Sequence, residues 1–356
     1  MAPLLFPRII FYPWEYLFVI FFIKLGIQTN LNKMKTKLIY LIVIIFSFVI
    51  HSCDDEGALA NQSQPNASSF TSIQDLRNSL KPNPYVQTID PSNSFSVTGP
   101  QGTTITCTGN SVIDSSGNTI SDNVNISLYE FNTLDKMILA KAPTTSNGNL
   151  LITGGSFEVT AQNTATGEEL EFTSWGCQCS LDIQTSPSIA HQNQMMLFNG
   201  NTNNLDNNGQ EVVDWDLQNQ GEFGVFDGVF QAWGIDVGFS NCDVLYDMVS
   251  ENGTQFEAIV NGVTDYTSNV EVWLIIDDFP SVVMLTNINS TPALETYDES
   301  IPTGLDGTLI GINIDDNNYL SFGSLPITIA GDDSFNINVN YGTEAELVEL
   351  IESLVN

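Results

Sequence analysis

Between Tyr85 and Gly342 apolar and polar residues alternate in short runs, and the runs stop at Gly, Asn, Asp or Pro. A period of two puts alternate side chains on opposite faces of a strand, so this stretch is restricted to half-buried β-structure. Phe95–Val97, Thr104–Cys107, Val124–Leu128, Ser156–Val159 and Leu170–Phe172 are candidate strands, with turns at Ser116-Gly117, Thr153–Gly155 and Thr166–Glu168. Strands this short and this closely spaced imply sandwiches rather than βαβ units. With 42% apolar and 10% aromatic residues, the chain has enough material for a substantial core and is not a disordered one.

The fold class expected is all-β: two β-sandwich-like domains, 85–185 and 251–356, joined by a connecting β region over 186–250. In the last part, Phe256–Val260, Val270–Ile276, Ser281–Leu285, Leu309–Ile314 and Phe335–Val339 read as strands. A short C-terminal helix closes the chain. Thr343 and Glu346 form a capping box, and Leu347, Leu350, Ile351 and Leu354 share one face, which predicts a helix docked on the last sheet.

The N-terminal part is of another kind. Lys35 and Lys37 precede an apolar run from Leu38 to Ile50, followed by Ser52 and Cys53. The run is shorter than the roughly 20 residues a spanning helix needs, and its flanks are those of a signal peptide. Val49-Ile50-His51-Ser52-Cys53 reads as a lipobox, with cleavage before Cys53 and lipid on that cysteine. Residues 1–52 are therefore expected to be a signal-peptide region whose true start is Met34. Residues 53–84 are expected to be the lipidated cysteine and a flexible tether, with a short helix at Ser72–Leu80. The expected location is the outer membrane, facing outward, with the membrane as partner through Cys53.

Charge excludes one class of partner. Of 9 basic residues five precede Cys53, leaving Arg77, Lys81, Lys136 and Lys141 beside 41 of the 42 acids. Phosphate backbones are bound by clustered Lys and Arg, so no nucleic-acid partner is expected.

Four cysteines follow Cys53: Cys107, Cys177, Cys179 and Cys242. In an exported chain they are disulfide candidates. Cys177 and Cys179 would share one face of a strand, which sets them poorly to bond each other and makes Cys107 and Cys242 their natural partners. A zinc site is disfavoured, because His191 is the only histidine after Cys53.

Catalytic signatures are lacking. No Gly-x-Ser-x-Gly elbow and no phosphate-cradling loop occurs, and His191 stands beside no diagnostic motif. Asp214 and Asp216 around Trp215, and Asp277-Asp278, are the carboxylate pairs a hydrolase would draw on. Asn204, Asp206 and Asn208 have the oxygen spacing of a calcium loop, although Trp215 stands where such a loop needs its bidentate glutamate. No cofactor other than calcium is suggested. Trp175, Trp215, Trp233 and Trp273 are the rings that could stack on a sugar.

Val124 to Leu139, continuing through Pro143–Gly148, Leu150–Gly155 and Phe157, resembles a module of uncharacterised surface lipoproteins of the Bacteroidota. Val86–Asp90, Met196–Gly200 with Trp215, and Asn241–Asp243 extend the resemblance, and Cys53-Asp54-Asp55-Glu56 is similar to their export tag. The resemblance implies a multi-β-domain surface protein and brings no catalytic residue. The expected role is non-catalytic: binding, adhesion or envelope structure, with a glycan or protein partner at the cell surface. The alternatives are a glycan-binding accessory protein of a polysaccharide-uptake system and a carboxylate-dependent hydrolase.

Overall fold

A computed structural model describes residues 70–218, 222–246, 253–288 and 292–355. The expected signal peptide, Cys53 and the tether up to residue 69 lie outside the described residues. Everything described belongs to one unit, Pro65–Asn356, and it is all-β apart from four helices: α1 (Ile73–Leu80), α2 (Leu134–Ala140), α3 (Ile189–Gln192) and α4 (Glu344–Val355).

Two antiparallel sheets make a sandwich. The large sheet runs in the order Tyr85–Ile89, Val124–Phe131, Asn149–Asn163, Gly238–Leu245, Met196–Leu205, Glu211–Leu217. The facing sheet runs in the order Glu222–Phe226, Val229–Trp233, Cys177–Asp182, Thr104–Cys107, Phe95–Thr98. Between them lies a core that includes Val97, Ile105, Ile126, Phe157, Leu181, Leu197 and Phe230. The alternation read from sequence is the reason: Ile105, Leu181 and Phe230 point inward while Thr104, Ser180 and Gln231 point outward.

The expected connecting region, 186–250, is instead woven into this sandwich. Its strands Met196–Leu205, Glu211–Leu217 and Gly238–Leu245 complete the large sheet, and Glu222–Phe226 with Val229–Trp233 complete the facing one. Each of these strands would otherwise leave an unpaired edge, and antiparallel pairing with the earlier strands satisfies those backbone groups.

A third, central sheet has the order Ser281–Leu285, Val270–Ile276, Asp306–Ile314, Leu320–Thr328, Asn340–Tyr341. Every residue of Val270–Ile276 is buried, because both faces of this sheet are covered. Val272, Leu274 and Leu309 meet a small sheet containing Glu257–Val260 and Ser334–Ile337. Trp273, Ile275, Ile310 and Ile312 meet α1, α2 and α4. The capping box of α4 forms as expected: Thr343 N–H donates to Glu346 at 2.7 Å, and Glu346 N–H to the Thr343 hydroxyl at 3.3 Å. Leu347 and Ile351 are the residues that bury fully, with Leu354 partly covered, and Leu350 stays half-exposed.

Residues 70–84 of the expected tether include a packed element. In α1, capped by Ser72, residues Ile73, Leu76 and Leu80 are buried, and Arg77 pairs with Glu271 of the central sheet.

Where the large sheet meets the Val270–Leu285 hairpin, polar groups are buried. Thr144 N–H donates to Val282 O at 2.7 Å and Thr153 N–H to Pro280 O at 2.9 Å. On the same face Asp243 is fully buried and accepts from Asn241 Nδ2 at 2.6 Å. Burial pushes the Asp243 carboxyl well above the ordinary carboxylate range, against opposing hydrogen bonds from Thr153, Asn241 and the Gly154 N–H. In the folded state the proton is therefore held at pH values where the unfolded chain has lost it. No penalty exists below the unfolded value near 4; stability then falls as pH rises toward the raised folded value. Asp243→Asn removes that loss. The variant is expected to be more stable than wild type at pH 7, with little gain at pH 4. Urea unfolding of both chains at the two pH values checks this, and equal differences at both would refute it.

Candidate functional site

At one end of the facing sheet, chain reversals from two segments meet. Thr173-Ser174-Trp175-Gly176 turns into the strand Cys177–Asp182, closed by Gly176 N–H to Thr173 O at 2.8 Å. Trp233 ends its strand, and Gly234 N–H then donates to Cys177 O at 3.0 Å. Trp175 has φ 63°, a left-handed conformation that a bulky residue adopts only under constraint from its surroundings. Its ring lies over Gly234, where an added Cβ would sit 3.5 Å from the indole. Gly234 has φ 77°, a left-handed conformation that favours glycine, while the 3.5 Å separation is ordinary van der Waals contact.

Beside this turn is a cleft of about 630 Å³ lined by Ile113, Glu171, Phe172, Thr173, Ser174, Asp236 and Val237. That volume is within the range of small-ligand sites. Burial, with the neighbouring Glu171 charge adding to it, pushes the Asp236 carboxyl up. Trp175 is 58% exposed and Trp233 36%. Two exposed indoles and two carboxylates thus occupy one end of the sandwich.

The remaining predicted residues are placed as follows. Trp215 and Trp273 are core. Trp215 donates from Nε1 to Pro143 O at 2.7 Å and meets Phe239 edge-on; Trp273 donates to Glu271 at 3.1 Å. Asp214 accepts from Asn147 N–H and Asn204 Nδ2, and its carboxyl is raised mainly by burial; Asp216 accepts from Asn201 Nδ2. Asp277 and Asp278 occupy a hairpin turn, with Asp278 accepting from Asp306 N–H at 3.2 Å. His191 sits on the one-turn helix α3, and among the described residues no serine or cysteine side chain bonds its ring.

The calcium-loop side chains are engaged by protein groups. Asp206 pairs with the Lys141 ammonium at 2.6 Å and accepts from Asn208 and Gln210 N–H. Asn208 donates to Val270 O at 2.9 Å, and Asn204 is turned to Asp214. The cation beside Asp206 is the Lys141 ammonium.

Cys107 and Cys177 form a disulfide across adjacent strands of the facing sheet. Cys179 and Cys242 are buried thiols in the same core. Burial pushes the Cys179 thiol up to about 12, which keeps it protonated.

Sequence reasoning missed Glu171, Asp236 and the cleft. Neither acid sits in a motif; only the Trp-Gly pairs, Trp175-Gly176 and Trp233-Gly234, mark the place. No protein-family model matches the chain, and neither a curated protein nor a solved structure matches it.

Proposed function

We propose that this chain is a lipid-anchored outer-membrane protein displayed at the cell surface, with a non-catalytic binding role. The observation that carries the binding role is the exposed Trp175–Trp233 pair beside an open cleft, with Trp175 held in a left-handed backbone conformation. Exposed indoles on a constrained turn are a binding feature rather than a folding one, because the same rings buried would stabilise the fold more. The lipobox at Cys53 and the resemblance to surface lipoproteins of the Bacteroidota support the anchor and the display. One observation favours a second reading, a carboxylate-dependent hydrolase. Asp236, whose carboxyl is shifted up by partial burial and by the neighbouring Glu171, stands beside a second carboxylate, the arrangement an acid–base pair uses.

The anchor is tested by growing cells on a labelled fatty acid. The expected result is label on the wild-type chain and none on Cys53→Ala, which should also leave the membrane fraction. Label retained by the variant would overturn the anchor.

A further inference from the structure

We infer that the outer face of the facing sheet is a binding platform for an uncharged glycan chain. The inference rests on the binding role proposed above and names its ligand class.

The face is read from the strand register. One row across all five strands is Glu222, Trp233, Gln178, Thr106, Ser96. The next is Gly224, Gln231, Ser180, Thr104, Thr98. Their inward neighbours on the same strands, such as Ala232, Cys179 and Ile105, pack in the sandwich core. The residues of the two rows are exposed or half-exposed, so among the described residues no layer covers this face. Phe226, 60% exposed, reaches back over Gly224, where an added Cβ would lie 3.4 Å from its ring.

The chemistry of the face contrasts with the rest of the molecule. In a chain of net charge −33, the two rows carry one carboxylate, Glu222, on the edge strand, and the next row, which brings Phe226, adds Asp182. Hydroxyls and amides make up most of the remainder. Ser96 with Thr106, and Thr98 with Thr104, bond each other at 3.0 Å. The amides of Gln178 and Gln231 have no protein partner among the described residues, which leaves donors and acceptors directed at solvent. Trp233 and Phe226 add ring faces, which pack against the C–H faces of a sugar while amides and hydroxyls bond its hydroxyl groups.

Charge selects against other ligands. Arg77, Lys81, Lys136 and Lys141 each pair with a carboxylate, Glu271, Glu158, Asp135 and Asp206 respectively. An anionic polymer would meet no opposing charge and a surplus of like charge. A cationic ligand would find two carboxylates, Glu222 and Asp182, spread over three rows. A row of five strands at about 4.8 Å spacing is about 19 Å long, room for several sugar rings laid across the strands. Trp175 and the Glu171–Asp236 cleft lie just beyond the Trp233 end of this face.

The test uses the full chain in detergent, measured calorimetrically against a panel of neutral polysaccharides (a β-glucan, a xylan, an α-glucan, a mannan), with alginate as the anionic control. The expected result is binding to at least one neutral polymer and none to alginate. Trp233→Ala and Gln231→Ala should each weaken that binding about tenfold or more. Trp233 is 36% exposed and Gln231 half-exposed, so each variant is compared at a temperature and urea concentration where circular dichroism shows it fully folded. Neutral-polymer binding unchanged in both variants but lost in Trp175→Ala would overturn the platform and leave the binding role standing. No binding to any neutral polymer, or binding to alginate alone, would overturn the glycan inference. The fatty-acid experiment would still decide the anchor separately. Reducing ends released by wild type and not by Asp236→Asn would overturn the non-catalytic reading, while a loss of binding in Trp233→Ala would still support the platform.

Discussion

Arg77→Met is expected to destabilise the fold by about 3–5 kcal/mol, the cost of leaving one member of a buried ion pair alone. Arg77 reaches from α1 into the layer between helices and central sheet. Its Nε donates to Glu271 at 2.9 Å, one terminal nitrogen makes a second, very short contact with the same oxygen, and the other donates to Ile138 O at 2.7 Å. The guanidinium also lies 5.4 Å from the centroid of the Trp273 ring. Glu271 is fully buried, and its other oxygen has no protein partner. With methionine at 77, Trp273 Nε1 would be the only side-chain donor among the described residues left to a carboxylate shut off from water. The double variant Arg77→Met/Glu271→Leu removes both charges and is expected to recover most of the loss, since apolar replacements of a buried pair are often neutral or better. Urea unfolding of the four chains closes the cycle. A single-variant loss under about 1 kcal/mol, or a double variant less stable than either single one, would show that the pair does not hold α1.

Periodicity explains which elements were readable and which were not. The strand Val270–Ile276 is an apolar run that sequence identifies as a strand, and its burial on both faces follows from that run. The α4 stripe and its capping box are local signals, and both are present. By contrast α2 was hidden. Leu134–Ala140 is seven residues, too short to display a helical period, and Thr133 makes no side-chain cap bond. The inclusion of 186–250 in both sheets is equally invisible locally, because register partners such as Phe239 and Glu158 are far apart in sequence. The indole sites divide on the same ground. Trp273 sits in an apolar strand and is core, as that context indicates. Trp215 alternates with Asp214 and Asp216, so it lies on the other face of its strand, packed with Leu151, Phe198 and Val213, while the acids turn to asparagines across the hairpin. Trp175 and Trp233 were candidates among four. Only pairing of the Cys177–Asp182 and Val229–Trp233 strands brings them to one end, and the cleft acids Glu171 and Asp236 become neighbours by the same step.

That pairing is where the disulfide acts, and its removal should have the other large effect. Cys107→Ala/Cys177→Ala is expected to lose about 4 kcal/mol, the loop-closure contribution of a cross-link between residues 70 apart. Reduction of the wild type should give a loss of the same size, whereas the double variant should be insensitive to reductant. The bond joins the strands Thr104–Cys107 and Cys177–Asp182, which carry Thr104, Thr106, Gln178 and Ser180 on the proposed glycan face. The same treatment should therefore weaken glycan binding near the unfolding midpoint, where a loss of stability most reduces the folded population. Cys179 lies two residues from Cys177 and is an obvious competitor for the bond. It is kept from exchange by burial, which holds its thiol protonated, and the thiolate is the attacking species. Blocking free thiols with iodoacetamide in denaturant should then label Cys179 and Cys242 and leave Cys107 and Cys177 unlabelled until reduction. Label on Cys107 before reduction, or a wild-type unfolding curve indifferent to reductant, would show that the cross-link is not what fixes this sheet.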